Sequence, residues 1–328
     1  MDIMIRGLAF AAASLCAALM GFAIQRGATC TVAAIDQVVS QRKFDRHIAL
    51  LEASLWVCGG LLIAHRLSWL PQLPMGYALT ATTFGGAVLL GLGAFVNRGC
   101  VFGAVARFGS GEWAYALTPV GFYLGCLAID TLPAASSHPR LAGSSIVFSA
   151  PDAAVWLVAG LFAWRIGGAC VRDRTALRTL VMGKLWSPHA ATSVIGVAFL
   201  AMLLLVGAWA YTDALADLAR GMTRGLPARL VLVACLLGGA VVGGWTAGRF
   251  RSLRIDMATG LRCLVGGVMM GVGSMLIPGS NDGLILVGLP MLWPYAWVAF
   301  LTMCLSVGMA QWMQARLAAR SQALARAS

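Results

Sequence analysis

Three short stretches hold the side chains best suited to chemistry. They are Gln25-Arg26-Gly27-Ala28-Thr29-Cys30, Asn97-Arg98-Gly99-Cys100 and Pro278-Gly279-Ser280-Asn281-Asp282-Gly283. The first two place Arg, Gly and Cys in the same order. A thiol is a weak S–H donor, and it becomes a nucleophile when a nearby cation or helix N-terminus favours the thiolate. Ser280 offers a hydroxyl, Asn281 an amide and Asp282 a carboxylate. Arg26 and Arg98 lie at the ends of apolar runs. An ionisable residue there points to function, and the competing use is a side chain reaching for the lipid head groups. Asn281-Asp282-Gly283 also reads as a turn and helix cap, with Asp282 capping a helix that begins near Gly283.

The stretches are related by spacing. Gly91-x-Gly93-x5-Gly99 and Gly271-x-Gly273-x5-Gly279 share one pattern, each preceded by a Gly pair (Gly85-Gly86 and Gly266-Gly267). Cys100 falls opposite Ser280. A looser copy opens the chain at Gly21 and ends at Cys30. The pattern predicts a helix that stops, turns at glycine in a left-handed conformation, and restarts as a short helix. Such a break within a bilayer is tolerable only where protein or a wet cavity satisfies the backbone. The restarted N-terminus presents free N–H groups and favours an anion. Broken helices in corresponding parts of two halves point to a transporter's binding site. Gly121-x3-Gly125, Gly239-x3-Gly243 and Gly244-x3-Gly248 read as helix packing.

The elements that position these residues must be membrane helices. Of 328 residues, 60% are hydrophobic and 11% charged, and the mean hydropathy is +0.83. Soluble domains carry about 25% charged residues. The composition excludes a soluble domain, a disordered chain and a coiled coil. The net charge of +12 is dispersed in short clusters between apolar runs, which reads as a topology signal rather than a nucleic-acid surface. The nine cysteines form no CxxC pair, and His47, His65, His138 and His189 form no spaced ligand set, so no metal or cofactor is expected. No G-x4-G-K-[ST] motif marks ATP binding. The first apolar run is read as a retained span rather than a signal peptide.

Nine apolar runs lie at about 5–25, 48–64, 77–96, 113–129, 151–166, 190–211, 228–247, 261–278 and 294–314. Lys and Arg concentrate in alternate connections, at 42–46, 165–184, 249–262 and 316–326. With each run crossing once, that excess places the N-terminus outside and the C-terminus in the cytoplasm. The expected fold is therefore an all-α polytopic membrane protein of about nine transmembrane helices with short broken or re-entrant helices. It forms one domain of two related halves, about 1–165 and 190–328, joined by a basic cytoplasmic connector at about 166–189.

At these residues the chain resembles the YeeE/YedE family of sulphur-compound transporters. The matching stretches are GFAIQRGATC (21–30), GLGAFVNRGC (91–100), KLWSPHAATSVIG (184–196) and GRFRSLRIDMATGLRCLVGGVMMGVGSMLIPGS (248–280). The resemblance implies an hourglass-like bundle whose centre is lined by three motif cysteines that pass an anion along through weak S–H hydrogen bonds. Cys30 and Cys100 match the first two. The third position is Ser280, whose hydroxyl is a harder, stronger donor. The resemblance also implies a cytoplasmic sulphur-carrier protein as partner.

The expected function is an inner-membrane permease for a small sulphur-containing anion, thiosulfate or a related sulphur oxyanion. Cys30, Cys100, Ser280, Gly27, Gly99, Gly279, Asn281 and Asp282 would line the path, and Arg26 and Arg98 would attract the anion. Asp282 would cap a helix, pair with an Arg such as Arg98, or bind a co-transported cation or proton. No catalytic residue is assigned. The same thiols fit two other readings: an intramembrane enzyme relaying sulphur through a thiolate, and a membrane subunit that transports nothing itself.

Overall fold

A computed structural model describes residues 2–70, 74–130, 138–141, 143–172, 183–222, 225–251 and 256–327. Part of the basic connector, including Arg174 and Arg178, lies outside them. Among the described residues the elements are helical, apart from one isolated bridge between Tyr77 and Arg140.

One pattern recurs four times: a long helix, a short break, a short helix and a second long helix. The first unit is α1 (Asp2–Gly27), α2 (Thr31–Gln41) and α3 (Asp45–Arg66). The second is α4 (Ala81–Asn97), α5 (Val101–Gly109) and α6 (Leu117–Asp130). A helix without a partner in the pattern follows, α7 (Asp152–Arg172). The third unit is α8 (Pro188–Val206), α9 (Tyr211–Ala219) and α10 (Leu226–Thr246). The fourth is α11 (Met257–Leu276), α12 (Asn281–Gly283) with its π-helical continuation Leu284–Gly288, and α13 (Pro294–Ala327).

Each expected apolar run holds a helix. Among the described residues seven stretches are long and apolar enough to cross a membrane: Met4–Gln41, Asp45–Arg66, Ala81–Gly109, Pro188–Val206, Leu226–Thr246, Met257–Leu276 and Pro294–Gln322. The expected count of nine thus divides into seven full spans and two further helices. Of these, α6 has 14 residues, about 21 Å at 1.5 Å per residue, too short to span alone. The chain is an all-α, multi-pass membrane protein. Its outer surface is accordingly apolar, with Leu8, Trp156, Trp164, Trp245 and Leu305 exposed.

Glycines set how the long helices cross. A Cβ on Gly86 would meet the carbonyl of Gly273, and one on Gly273 the carbonyl of Gly86. Gly93 and Gly266 are opposed in the same reciprocal way. Helices α4 and α11 are therefore antiparallel, with backbones in direct contact. Gly239 lies against Ala18 and Gly243 against Phe22, which makes α1 and α10 parallel. Gly267 lies against Thr118 and Gly271 against Phe122, which makes α6 and α11 parallel. These directions are the ones that alternate crossing requires. Gly121, Gly125, Gly239, Gly243 and Gly244 have the packing role expected of them, whereas Gly248 packs against nothing and carries a positive φ of 67°.

The ends of α1, α4 and α10 lie at one end of the bundle, beside the starts of α8 and α11. There the backbone N–H of Trp186 donates to the Arg26 carbonyl, and Gly266 touches Asn97. The ends of α8 and α11 lie at the other. The short helices α2 and α5 therefore enter from one end of the bundle, and α9 and α12 from the opposite end.

Candidate functional site

Four breaks converge on one buried layer. Short helices α2, α5, α9 and α12 begin after Cys30, Cys100, Ala210 and Ser280. All four N-cap residues are extended, and each gives its carbonyl to the first intrahelical bond, to Ala34, Ala104, Ala214 and Leu284. None of the four uses its side chain to cap its own helix. An N-cap side chain ordinarily accepts from the first turn. Here the first-turn N–H groups and the cap side chains are left for other partners.

On one side of the layer stand the thiols. Cys100 is fully buried and its Sγ lies 3.6 Å from Sγ of Cys30. The backbone N–H of Thr31, at the start of α2, donates to Cys100 Sγ at 3.2 Å. Cys30 is half-buried and borders a narrow cleft of about 10 Å³, room for roughly one water, lined by Arg46, Pro188 and Thr192 among others. Gly103 makes the arrangement possible, because a Cβ there would stand 2.5 Å from Cys30 Sγ.

On the other side stand hydroxyls and carboxylates. Ser280 Oγ and Thr212 Oγ1 are 2.5 Å apart, and both donate to Oδ1 of Asp282, Thr212 at 2.5 Å. The Gly283 N–H also donates to that oxygen, at 3.1 Å. Asp282 is buried, and Asp213, one residue after Thr212, is exposed. Tyr211 ties α9 to α5 by donating to the Val101 carbonyl at 3.3 Å.

Asn281 joins the two sides. It is completely buried, and its Oδ1 accepts from Thr31 Oγ1 at 3.2 Å. Among the described residues its Nδ2 has no acceptor. A buried amide N–H without a partner costs about 1–3 kcal/mol, so an acceptor is expected at this point.

The breaks are built differently at the two ends. After α1 the N–H of Thr29 bonds to the Ile24 carbonyl, and after α4 that of Gly99 bonds to the Ala94 carbonyl. Each is the six-to-one bond of a Schellman turn. The left-handed residue in each is Ala28 (φ 47°) or Arg98 (φ 55°), not the adjacent glycine. This corrects the expectation that glycine supplies the turn there. Gly27 is needed for packing instead, since a Cβ would lie 2.2 Å from that of Ala191, and at Gly99 a Cβ would make only ordinary contacts. At the other end glycine does carry the conformation, at Gly279 (φ 138°) and Gly207 (φ 91°).

Three further sequence expectations take a different form. The cap of α12 is Ser280, and Asp282 lies inside the helix, accepting from the N–H that follows it. Asp282 makes no ion pair with Arg98, which is exposed. Arg26 is 2% exposed and holds the chain elsewhere: it donates to the Gly183 carbonyl and, at 2.8 Å, to Thr246 Oγ1, with its guanidinium over the Phe22 ring.

Sequence reasoning did not reach Thr31, Gly103, Tyr211, Thr212 or Asp213, and it gave Asn97 no role of its own. Asn97 secures the second break, donating to the Gly99 carbonyl at 2.7 Å and accepting from Thr118 at 3.0 Å. The available signal for the others was the polar run Tyr211-Thr212-Asp213 ending an apolar stretch.

The family model described as Sulphur transport matches residues 26–309, a range that contains all four breaks. The chain is also 25% identical to the thiosulfate transporter TsuA of Escherichia coli (strain K12), over 91% of this chain and 93% of that protein. Both matches are to transport proteins rather than enzymes. A helix-break layer shared by four units, with soft and hard donors meeting inside a multi-pass bundle, is thus found in a chain that belongs to the sulphur transport family.

Proposed function

We propose that this chain is a permease for a small sulphur-containing anion, thiosulfate above all, which crosses through the layer where the four short helices meet. The observation that carries the reading is Asn281: a fully buried amide donor without an acceptor, between a thiol pair and a hydroxyl pair. Thiosulfate has a soft terminal sulphur and hard oxygens. The thiols of Cys30 and Cys100 suit the first. Asn281 Nδ2 and the first-turn N–H groups of α2 and α5 suit the second.

The layer is closed in this conformation, since Cys100, Ser280, Asn281 and Asp282 are all 2% exposed or less. Passage needs the side chains to exchange partners with the anion. Thiols suit such exchange because S–H bonds are weak, so the anion is held and released. Arg98, exposed at the end of α4, is the cation that meets a solvated anion. Arg26 acts by holding the break in place.

The helix directions support two inverted halves, about 1–165 and 190–328, with α7 as the odd crossing that inverts the second. The distribution of basic residues supports an inner-membrane location with the N-terminus outside and the thiol side facing the cytoplasm. A cytoplasmic sulphur-carrier protein would then collect the anion at the cleft beside Cys30. Purified protein in liposomes, offered labelled thiosulfate, sulfite and sulfate, tests the reading. Uptake of thiosulfate above the other two is expected, and uptake of none would refute it.

A further inference from the structure

The α9 and α12 side of the layer carries two carboxylates where an anion must pass. Among the described residues neither Asp213 nor Asp282 has an ion-pair partner. An ionised Asp282 would repel an anion held in the same layer.

The oxygens around Asp282 indicate how this is avoided. Asp282 Oδ1, Ser280 Oγ and Thr212 Oγ1 stand pairwise within hydrogen-bond reach. Both hydroxyls and the Gly283 N–H donate to the carboxylate, so it can hold its charge while the layer is empty, and it needs a proton only when an anion shares the layer. Asn281 gives an independent sign that a ligand occupies the same layer, because its buried Nδ2 lacks an acceptor.

We propose that Asp282 takes up one proton when the anion enters the layer, so that anion and proton bind together. The proposal rests on the permease reading above. A dianion beside Asp282 favours the neutral carboxyl, and by linkage a neutral carboxyl favours the dianion. The proton adds to a carboxylate oxygen of Asp282, giving COOH, and the loaded site carries one negative charge fewer than the anion beside an ionised Asp282 would. Asp213 supplies the route from water: it is exposed, and its carboxylate oxygens lie 3.9 Å from where a Cβ on Gly283 would stand.

The groups facing Asp282 do not provide a counter-charge. From α9 come Thr212, Tyr211 and Asp213, the last two within electrostatic reach; from the start of α2 Thr31 meets the adjacent Asn281, and α3 meets the continuation of α12 through Ser54, which donates to the Ile285 carbonyl. The cations on these helices pair elsewhere or, like Arg46, border the cleft at Cys30. Arg220 and Arg229 hold Asp217, and Arg107 holds Glu112. On α3, Arg66 holds Asp152, and Glu52 is occupied by Arg165 and His189.

The test is calorimetric titration of thiosulfate into the purified full chain, in buffers of different ionisation enthalpy and over a range of pH. Uptake of about one proton per anion is expected, with a Kd that weakens up to about tenfold per pH unit once Asp282 is ionised in the free protein. Asp282→Asn should lose the proton uptake and the pH dependence together. Binding by the natural chain without proton uptake overturns the proposal and leaves the permease reading intact. Proton uptake that survives in Asp282→Asn also overturns it. If the natural chain does not bind thiosulfate at all, the permease reading falls and the proposal with it. Should Asp282→Asn fail to fold, the proton count of the natural chain decides alone.

Discussion

The two ends of the bundle use the same backbone device for different chemistry. At one end, α1 and α4 stop in Schellman turns with Ala28 and Arg98 left-handed, and the short helices begin at Cys30 and Cys100. At the other, α8 and α11 stop in turns shaped by Gly207 and Gly279, and the short helices begin at Ala210 and Ser280. The first end offers soft thiols. The second offers hydroxyls and a carboxylate. The lesson is that the break is the repeated unit, while the side chain at the cap and the two residues after it set what the break can hold.

Removing the link between the ends should have the largest effect. Asn281→Leu keeps the approximate size and loses the unpaired donor. A hydrogen bond to a charged group contributes about 1.5–3 kcal/mol, so thiosulfate affinity should fall on the order of 10- to 100-fold. Binding titrations on protein of normal thermal stability check this, and an unchanged Kd would detach Asn281 from the path.

Next comes the soft end. Gly103→Ala puts a Cβ 2.5 Å from Cys30 Sγ, so the thiol must swing away and uptake should drop several-fold. Gly85→Ala, where a Cβ meets nothing within 4 Å, should leave uptake unchanged. Equal activity of the two variants would mean that the position of the Cys30 thiol is immaterial.

The turns themselves can be compared. Gly279 has a φ of 138°, whereas Gly99 lies outside the positive-φ region. A side chain at positive φ costs on the order of 1–2 kcal/mol. Gly279→Ala should therefore lower thermal stability by more than Gly99→Ala does. The reverse order would contradict the assignment of strain to the hard end. The smallest effect is expected for Ser280→Cys, which makes the two ends alike. It should preserve or modestly raise thiosulfate uptake. A fall in thiosulfate uptake would mean that the Ser280 hydroxyl is required by the substrate or by Asp282.

Three of the four breaks were legible in the sequence because Gly and Cys or Ser repeat at fixed spacing around Gly27, Gly99 and Gly279. The fourth, at 207–210, was not. Gly207-Ala-Trp-Ala210 has neither a thiol nor a hydroxyl and closes an apolar run long enough to look like one span. The all-α membrane class and the helix crossings were legible from composition and from Gly pairs. The partnerships were not. Thr31 meets Asn281 across 250 positions, and Arg26 meets Thr246 across 220. Such contacts depend on how helices assemble, which local spacing does not encode. For that reason Arg26 reads from sequence as a charge near the path, while in the fold it fastens α1 to α10.

The central claim is that a sulphur-containing anion crosses at the buried thiol layer, and Cys100 is its most enclosed member. Initial rates of labelled thiosulfate uptake into liposomes, with the natural chain, Cys100→Ala and Cys16→Ala at equal incorporation, test it most directly. Cys16 is only partly buried on α1 and stands apart from the layer, so Cys16→Ala should retain the natural rate. Cys100→Ala should lose most of it. Equal rates for all three proteins would contradict the account.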